Sequence, residues 1–480
     1  MNRRTPSGWL LGVRRGPVRY GALAGLMVLG GCSGSMPAEQ ARRAWLVEAL
    51  TDDNRPWLSR DLVPLATKYD RMEDDPYDYL RGTAGVFLRD VGRSGSMRTT
   101  TSFLTEPSAA SVLLAGDPHP ENFGSLWPGG SAPVLLEVND FDGAVYGPYL
   151  MDVRRLNLGL AYLADEGGCR CGDTVVAAAS EAYLQSMRDG DARPALVSGD
   201  EGAVAQGLLD DVVTDGLAAS TLAEATELVA TGRRFRITDA LDDAGRGLLR
   251  LSTEEHAQLD RLLGSWGGRP SGFRELSRAR RFGSGIASLP AIRYVVAWDR
   301  GDDGPEDDEM VSIREVVDPP AVPGVHDGAP AYWASGAERI EDTARTMWSR
   351  PDADPHYDGL QDGVMTFKVQ SWTAWHDSFD HARIVRRLQE GRYGPNDLVA
   401  LGARLGEALG RVHRSGSTAN GGLASEAVLL DVGGRGPEFV TEQVAQAGVD
   451  LVRLRRDHRL FVSARLELGP WLGADQLEVK

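Results

Sequence analysis

Apolar residues recur at every third or fourth position along several stretches of the chain, and this spacing predicts amphipathic helices. The longest regular stripe lies between residues 397 and 414 and consists of Leu398, Leu401, Leu405, Leu409 and Val412. Gly416 follows it and suits a helix end. Similar patterns predict helices at 37–50 and 149–163, and we expect residues 173–265 to be mostly helical.

Two short apolar runs lack this period and predict strands beside polar loops. Residues 111–115 lead into a loop with Asp117 and Asn122, and residues 134–138 lead into a second loop with Asp140. A proline-glycine-glycine turn before the second run indicates a hairpin. We therefore expect a strand, a loop, a hairpin and a second loop, which bring these three polar side chains together.

The second half of the chain contains a different pattern, a glycine-rich loop followed by two β-branched runs. The loop is Gly283-Ser284-Gly285, and the runs cover residues 292–298 and 310–317. Backbone amides of such a loop can surround phosphate groups, but an ordinary turn before a hairpin explains the same glycines. Both interpretations stay open, and each predicts a small β-rich lobe.

These patterns together predict an α+β protein of five segments. They are a signal peptide at 1–31, a tether at 32–40, a mainly helical lobe with the loop hairpin at 41–270, a small β-rich lobe with the glycine-rich loop at 271–375 and a C-terminal helical segment at 376–480. The content of 42% hydrophobic and 25% charged residues is ordinary for a folded protein of 480 residues.

Charge and cysteine content exclude two classes of protein. The net charge of −17 leaves no basic surplus to displace phosphate counterions, so we expect no nucleic-acid partner. Three cysteines are too few for a disulfide scaffold, and the spacing of Cys169 and Cys171 is not that of a zinc half-site. Two loop cysteines or a local disulfide are the remaining interpretations.

The first residues have the pattern of an export signal. Several arginines precede an apolar run from Gly21 to Gly31 that is too short to span a bilayer. The run closes with Leu29-Gly30-Gly31-Cys32, which resembles a bacterial lipobox. This resemblance implies lipidation of Cys32 and anchoring in the cell envelope, and Ser33 indicates the outer membrane, facing the periplasm. A cytoplasmic protein with an apolar leader is the alternative.

The two loops carry residue types that phosphoryl transfer uses. The spacing of Asp117 and Asn122 is that of a kinase-type catalytic loop, in which Asp orients or deprotonates the acceptor and Asn binds magnesium. Asp140-Phe141-Asp142 follows where such a site has its metal-binding Asp-Phe-Gly segment. Turn chemistry explains any one of these residues alone, because Asp and Asn are common in turns.

The same residues resemble the motifs of a bacterial family called domain of unknown function 2252. The resemblance extends over roughly residues 60 to 460, and the matching motifs lie at 81–82, 116–124, 139–142, 147–148 and 152–156. These motifs are similar to those of aminoglycoside phosphotransferases. The resemblance implies a protein-kinase-like fold with extra helical segments, in which the order of the two lobes is circularly permuted.

The resemblance also implies roles for single residues. Asp117 would be the catalytic carboxylate, with Asn122 and Asp140 as ligands of Mg²⁺. Asp152 and Glu315 would give structural support. Phosphate or nucleotide would be bound by Gly283, Ser284, Gly285 and Arg314.

Some positions depart from the family pattern or allow two interpretations. Arg314 stands where the family usually carries lysine, and an arginine does not replace a lysine point charge directly. Lys368 is expected to be an exposed strand lysine, although it could approach phosphate. His119 is expected to pack inside its loop, with substrate contact as the alternative for it and for Asp142. His413 is expected on a helix surface or in the core.

Three functions are consistent with these residues. The first is a Mg²⁺-dependent phosphotransferase that uses ATP or another phosphoryl donor and acts on a hydroxyl of a small molecule or envelope component. The second is a lipid-anchored, non-catalytic protein that binds a ligand or partner in the envelope, where nucleoside triphosphate is scarce. A hydrolase that uses the same carboxylates to bind a metal is a third.

Overall fold

The computed structural model of the chain describes most of it from Ala38 onwards. The described residues are 38–60, 62–91, 100–127, 131–189, 194–199, 202–218, 229–230, 233–242, 245–269, 272, 274–299, 301, 308–373 and 375–474. The signal peptide, Cys32 and most of the tether lie outside them. Among the described residues, no helix is both long enough and apolar enough to cross a membrane.

Four helices form the first part of the described chain. They are α1 (Ala38–Asp53), α2 (Val63–Asp74), α3 (Pro76–Gly82) and α4 (Ala84–Val91). Asp75 caps α3, because its side chain accepts a hydrogen bond of 2.8 Å from the amide of Tyr77. These helices share an apolar core with the last helix of the chain, and Phe461 of that helix lies in this core.

The predicted strand, hairpin and loops follow. The strands are β1 (Val112–Leu114), β2 (Phe123–Leu126), β3 (Leu135–Val138) and β4 (Val145–Gly147). β2 and β3 form the antiparallel hairpin, whose turn lies outside the described residues, and β1 pairs with β4. The helix α5 (Leu150–Glu166) comes next and is buried along most of its length. β1 and β4 are thereby held next to the start of α5.

The prediction of a mostly helical segment from 173 to 265 is wrong in its middle part. Helices α6 (Gly172–Asp189), α7 (Gly202–Ala218) and α8 (Thr253–Ser265) are present. Between the last two lie the short strands β5 (Val229–Ala230), β6 (Arg234–Phe235) and β7 (Gly247–Leu249). Pairing of β7 with a later strand outweighs the local helical pattern. Cys169 and Cys171 form a disulfide just before α6.

The second half of the chain builds a six-stranded antiparallel sheet. Its strands are β8 (Arg274–Phe282), β9 (Arg293–Asp299), β10 (Glu309–Val316), β11 (Asp358–Asp362) and β12 (Met365–Ser371), in the order β11-β12-β10-β9-β8-β7. Apolar residues of one face, including Trp298 and Phe367, pack against α8. The helix α9 (Gly336–Met347) connects β10 to β11 and also contacts the sheet.

The C-terminal part is helical and packs on the middle of the chain. Its helices are α10 (His381–Gln389), α11 (Pro395–Ser415), α12 (Ala424–Val432) and α13 (Gly436–Leu468). Gly406 lets α11 approach α6 closely, because a Cβ atom there would lie 2.0 Å from the carbonyl oxygen of Ala179. The fold is therefore a mixture of helices and antiparallel sheet, and its kinase-like character stays a prediction.

Candidate functional site

A cleft of about 300 Å³ lies between the inner face of the six-stranded sheet and the loops of β1 to β4. The sheet lines it mainly with cations, and the loops line it with carboxylates and amides. Arg81 and Glu121 line it as well. The other lining residues that matter for its chemistry are Asn122, Asn139, Asp140, Arg281, Gly285, Arg293, Arg314 and Lys368.

The first loop begins at a strand end that only glycine fits. Gly116 has a φ of +97°, and a Cβ atom there would lie 2.1 Å from the carbonyl oxygen of Gly143. The buried carboxylate of Asp152 accepts hydrogen bonds from the amides of Ala115 at 2.7 Å and Gly116 at 3.2 Å. Nε2 of His413, which is a core histidine, lies 3.0 Å from the same carboxylate. Asp152 therefore braces the start of the loop.

Asp117 follows this strand end and is held by an arginine. Its carboxylate accepts a hydrogen bond of 2.6 Å from Nε of Arg155, which also donates to the carbonyl of Leu80 at 2.7 Å. Nδ2 of Asn122 donates to the Asp117 carbonyl at 2.8 Å. Burial raises the pKa of Asp117, although the charge of Arg155 opposes this effect. The side chain keeps 17% of its surface exposed, although Asp117 is not among the residues that line the cleft.

His119 is buried inside the same loop. Its ring packs edge-on against Tyr77, with 6.3 Å between the ring centroids, and its Nε2 lies 3.9 Å from Oδ2 of Asp117. Burial lowers the pKa of His119 well below its usual value, so the ring is neutral near pH 7. With 3% of its surface exposed, His119 favours the packing role over substrate contact.

The second loop places two carboxylates against two cations of the sheet. A guanidinium nitrogen of Arg314 lies 3.1 Å from Asp140 and 2.5 Å from Asp142. Nζ of Lys368 lies 3.0 Å from Asp140 and 2.7 Å from Asp142. Burial alone would raise the pKa of Asp140, but Lys368 and Arg314 hold it well below its usual value. Asp140 is therefore ionised near neutral pH.

The expectation that Lys368 is an exposed strand lysine is wrong. It lies on β12, between β10 and β11, and only 2% of its side chain is exposed. Directly across from it on β10 is Arg314. Two neighbouring cations on one face are unfavourable by themselves, and the carboxylates of the second loop compensate for them. Arg314 of β10 and Lys368 of β12 thus act on the same two carboxylates.

Two further arginines continue this row of cations. Arg293 of β9 lies opposite Arg314. On β8, Arg280 pairs with Tyr294, so the next residue, Arg281, lies opposite Arg293 by continuation of the antiparallel register. The guanidinium of Arg281 lies over the ring of Trp372, 4.4 Å from its centroid, and burial lowers its pKa to about 10. Burial and the charges of Arg314 and Arg281 lower the pKa of Arg293 well below its usual value.

The glycine-rich loop is a tight turn at one side of the cleft. Gly283 and Gly285 have φ angles of +77° and +76°. Gly283 packs against the backbone just before β7, because a Cβ atom there would lie 2.8 Å from the carbonyl oxygen of Gly245. Of the three predicted residues, only Gly285 lines the cleft, and Gly283 and Ser284 do not.

A buried arginine on α9 supports the second loop from behind. Arg339 donates to the carbonyl oxygens of Phe141 at 3.3 Å, Asp142 at 3.0 Å and Ala144 at 3.4 Å. Glu315, next to Arg314 in β10, points away from the cleft and is bonded to Arg60 at 2.6 Å and 2.7 Å. It joins the sheet to the segment between α1 and α2, which is a supporting position.

Three cations of this site, Arg281, Arg293 and Arg339, are absent from the sequence-based expectations, and Lys368 has approach to phosphate only as its alternative. Arg281, Arg293 and Lys368 reach the cleft through the register between strands, and Arg339 reaches the loop through the packing of α9. The second β-branched run carries a local signal, because Ser312 and Arg314 alternate with Val311 and Ile313. That alternation places Arg314 on the polar face of its strand but does not show what it faces.

The donor groups of the loops are compatible with a Mg²⁺ ion that is shared with phosphate oxygens. Asp140 offers a carboxylate and Asn122 a free amide oxygen, since its Nδ2 is used inside the loop. Protein sites for Mg²⁺ often supply only one or two such ligands and leave the others to phosphates and water. No cluster of three or more His, Cys, Asp or Glu side chains suited to a metal occurs in the described parts of the chain.

These features define a mixed helix and sheet protein with a cleft of opposed charges between an antiparallel sheet and two acidic loops. A family model described as an uncharacterized protein conserved in bacteria, DUF2252, matches residues 60–464. The chain belongs to this family, as its motifs at the two loops predicted. Comparison with curated proteins and with solved structures gives no match.

Proposed function

We propose that this chain is a kinase-like phosphotransferase that moves a phosphoryl group from ATP or a similar donor to a hydroxyl of a small molecule or envelope component. The observation that carries the proposal is the arrangement at Asp140. This carboxylate meets Arg314 and Lys368 of the sheet on one side and neighbours Asn122 of the first loop in the lining of the cleft.

The roles of the residues follow from their positions. Arg314 and Lys368 bind phosphate oxygens, since both place cationic groups in the lining of the cleft. Asp117 accepts the proton of the acceptor hydroxyl, and the raised pKa of this carboxylate suits a general base. The hydroxyl oxygen then forms a bond to the terminal phosphorus, while the bond from that phosphorus to the bridging oxygen of the donor breaks.

A Mg²⁺ ion held by Asp140 and Asn122 would neutralise the charge of the phosphate groups when bound. Binding of phosphates moves Arg314 and Lys368 from Asp140 and Asp142 onto the ligand. The two carboxylates therefore keep the cations in place until a ligand with competing negative charge arrives.

The order of elements in the sheet supports the kinase-like part of the proposal. A glycine turn connects β8 to β9, the next strand β10 carries Arg314, and α9 follows it. Kinases have a glycine-rich loop, a lysine on the third strand and a helix that supports this region in the same order. Here both acidic loops precede the sheet in the chain, which is a circularly permuted order.

Turnover with water as acceptor tests transfer without knowledge of the natural substrate. The purified chain is incubated with ATP and Mg²⁺, and formation of ADP is followed over hours. We expect slow, Mg²⁺-dependent ADP formation that falls at least about 100-fold in Asp117→Asn, since loss of a general base has effects of this order. Exposed Asp173→Asn serves as the control and keeps the activity of the wild type.

The ion pair of Asp117 favours a second candidate, a non-catalytic protein that binds a ligand or partner in the same cleft. Arg155 occupies one oxygen of the supposed base at 2.6 Å, and Asp117 does not line the cleft itself. Metal-dependent binding of ATP without any ADP formation would favour this candidate over the enzyme.

We also propose that the chain is anchored in the cell envelope through lipid on Cys32, with its folded part in the periplasm. The support comes from the sequence, in which Leu29-Gly30-Gly31-Cys32 closes a short apolar run after several arginines. Donor and acceptor would then both have to be available outside the cytoplasm.

A further inference from the structure

The cations of the cleft wall form one row across four neighbouring strands. Lys368 of β12, Arg314 of β10 and Arg293 of β9 are direct cross-strand partners. Arg281 lies opposite Arg293 by continuation of the β8 and β9 register, and all four side chains line the cleft. Neighbouring strands are about 4.8 Å apart, so the row extends over roughly 14 Å.

Only half of this row is neutralised by the protein. Asp140 and Asp142 pair with Arg314 and Lys368. Within the described chain, no hydrogen bond and no ion pair involves the side chains of Arg281 and Arg293, and the guanidinium of Arg281 lies over the ring of Trp372.

The remaining acids of the cleft wall have partners of their own. Glu121 lies 3.0 Å from Arg81, and Glu137 is bonded to Arg411 at 2.5 Å. Neither is available to Arg281 or Arg293. Two positive charges without a direct ion-pair partner repel each other on adjacent strands and destabilise the free protein, and an anion between them removes that cost.

We propose that Arg281 and Arg293 form a second anion subsite beside Arg314 and Lys368, and that the cleft binds a linear condensed phosphate chain along this row. A single phosphate would meet only one part of the row. Regularly spaced cations on four strands instead suit a ligand with several linked phosphate groups, as in inorganic triphosphate or the triphosphate of a nucleotide. Binding of a phosphate chain along the row does not depend on the proposed function. Only the orientation of that chain, with its terminal phosphate on one particular side of the cleft, rests on the proposed function.

Titration calorimetry with the purified full chain tests this subsite without metal and at fixed ionic strength. We expect inorganic triphosphate to bind at least tenfold more tightly than orthophosphate. Arg281→Gln and Arg293→Gln should each weaken triphosphate binding about tenfold or more, since each removes a charge-assisted contact. Arg250→Gln, at an exposed arginine just after β7, should change it less than twofold.

Comparison with ATP separates the two sources of such a chain. Equal binding of ATP and triphosphate identifies the phosphate chain as the ligand, and tighter binding of ATP adds a contribution from the nucleoside. Either result supports the row if both ligands respond to Arg281→Gln. Thermal melting of each variant checks that it folds. If Arg293→Gln does not fold, Arg281→Lys takes its place in the test, because it keeps the charge and should bind triphosphate more tightly than Arg281→Gln does.

Different experimental results would contradict the anion subsite and the proposed phosphotransferase activity. Asp140→Asn should not weaken metal-free triphosphate binding, because it releases Arg314 and Lys368, whereas it should abolish the metal-dependent binding on which phosphoryl transfer depends. A chain that binds triphosphate through Arg281 and Arg293 without any turnover keeps the subsite and loses the enzyme. Orthophosphate that binds as tightly as triphosphate, or affinities that ignore both arginine variants, would overturn the subsite.

Discussion

At the scale of single residues, the geometry of the first loop depends on the strand end before it. Gly116 adopts a left-handed conformation and lies against the backbone of Gly143. The amide of Gly116 donates a hydrogen bond to the carboxylate of Asp152. Asp117 is the next residue, so its direction is fixed by these contacts. A change at Gly116 should therefore disturb both stability and the site.

Gly116→Ala should lower the free energy of unfolding by about 3 kcal/mol, because it adds a steric conflict to an unfavourable φ angle. Gly199→Ala is a matched control, since Gly199 has a φ of +94° and a Cβ atom added there would meet no other atom within 4 Å. The control isolates the cost of φ, which is about 1 kcal/mol. Chemical denaturation measures both, and equal losses would show that the contact with Gly143 is unimportant.

The sequence reveals some site residues and hides others for a physical reason. Asp117 and Asn122 lie five positions apart in one loop, so local spacing is enough to recognise them. Lys368 meets Asp140 only because β12 pairs with β10, and the two residues are far apart in the chain. Register between distant strands leaves no local pattern, which is why Lys368 was expected to be exposed.

At the scale of elements, the second loop is held between a sheet and a helix. Its carboxylates face β10 and β12, and its backbone carbonyls face Arg339 of α9. The hairpin of β2 and β3 could be predicted because its turn and the apolar run of β3 are adjacent in sequence. The strands β5 to β7 could not be, since β7 is stabilised by pairing with β8 rather than by its own residues.

Arg339→Leu should lower the free energy of unfolding by about 3 kcal/mol, because it leaves buried carbonyl oxygens without donors. It should also weaken ligand binding, since the loop with Asp140 loses its support. Arg345→Leu on the same helix is the control, because its ion pair with Glu341 is exposed and contributes less than about 1 kcal/mol. Thermal and chemical denaturation compare the two, and equal effects would contradict the supporting role of Arg339.

At the scale of the whole molecule, several contacts join the sheet and its glycine turn to the first helices. Arg60 pairs with Glu315 of β10, and Lys68 donates to the carbonyl oxygen of Ala287 at 3.2 Å. Ile286, just after the glycine turn, inserts into the core formed by α1 to α3 and α13. The glycine turn is therefore docked on the helical part.

The proposed membrane anchor is a property of the whole chain and has its own test. Cys32→Ala in the full-length protein should move it from the membrane fraction to the soluble fraction, because it removes the thiol that carries the lipid. Cell fractionation with detection of the protein measures this. A wild-type protein that is already soluble in the cytoplasm would contradict the anchor and would strengthen the case for an ATP-dependent enzyme.

We propose that Asp140 and its partners form a metal-dependent phosphate site. The most direct measurement is the affinity of the purified chain for ATP, with and without Mg²⁺, for the wild type and Asp140→Ala. We predict that Mg²⁺ increases the affinity of the wild type at least tenfold and has no effect on the variant, because the ion loses its carboxylate ligand. Binding of ATP that is independent of both Mg²⁺ and Asp140 would contradict the claim.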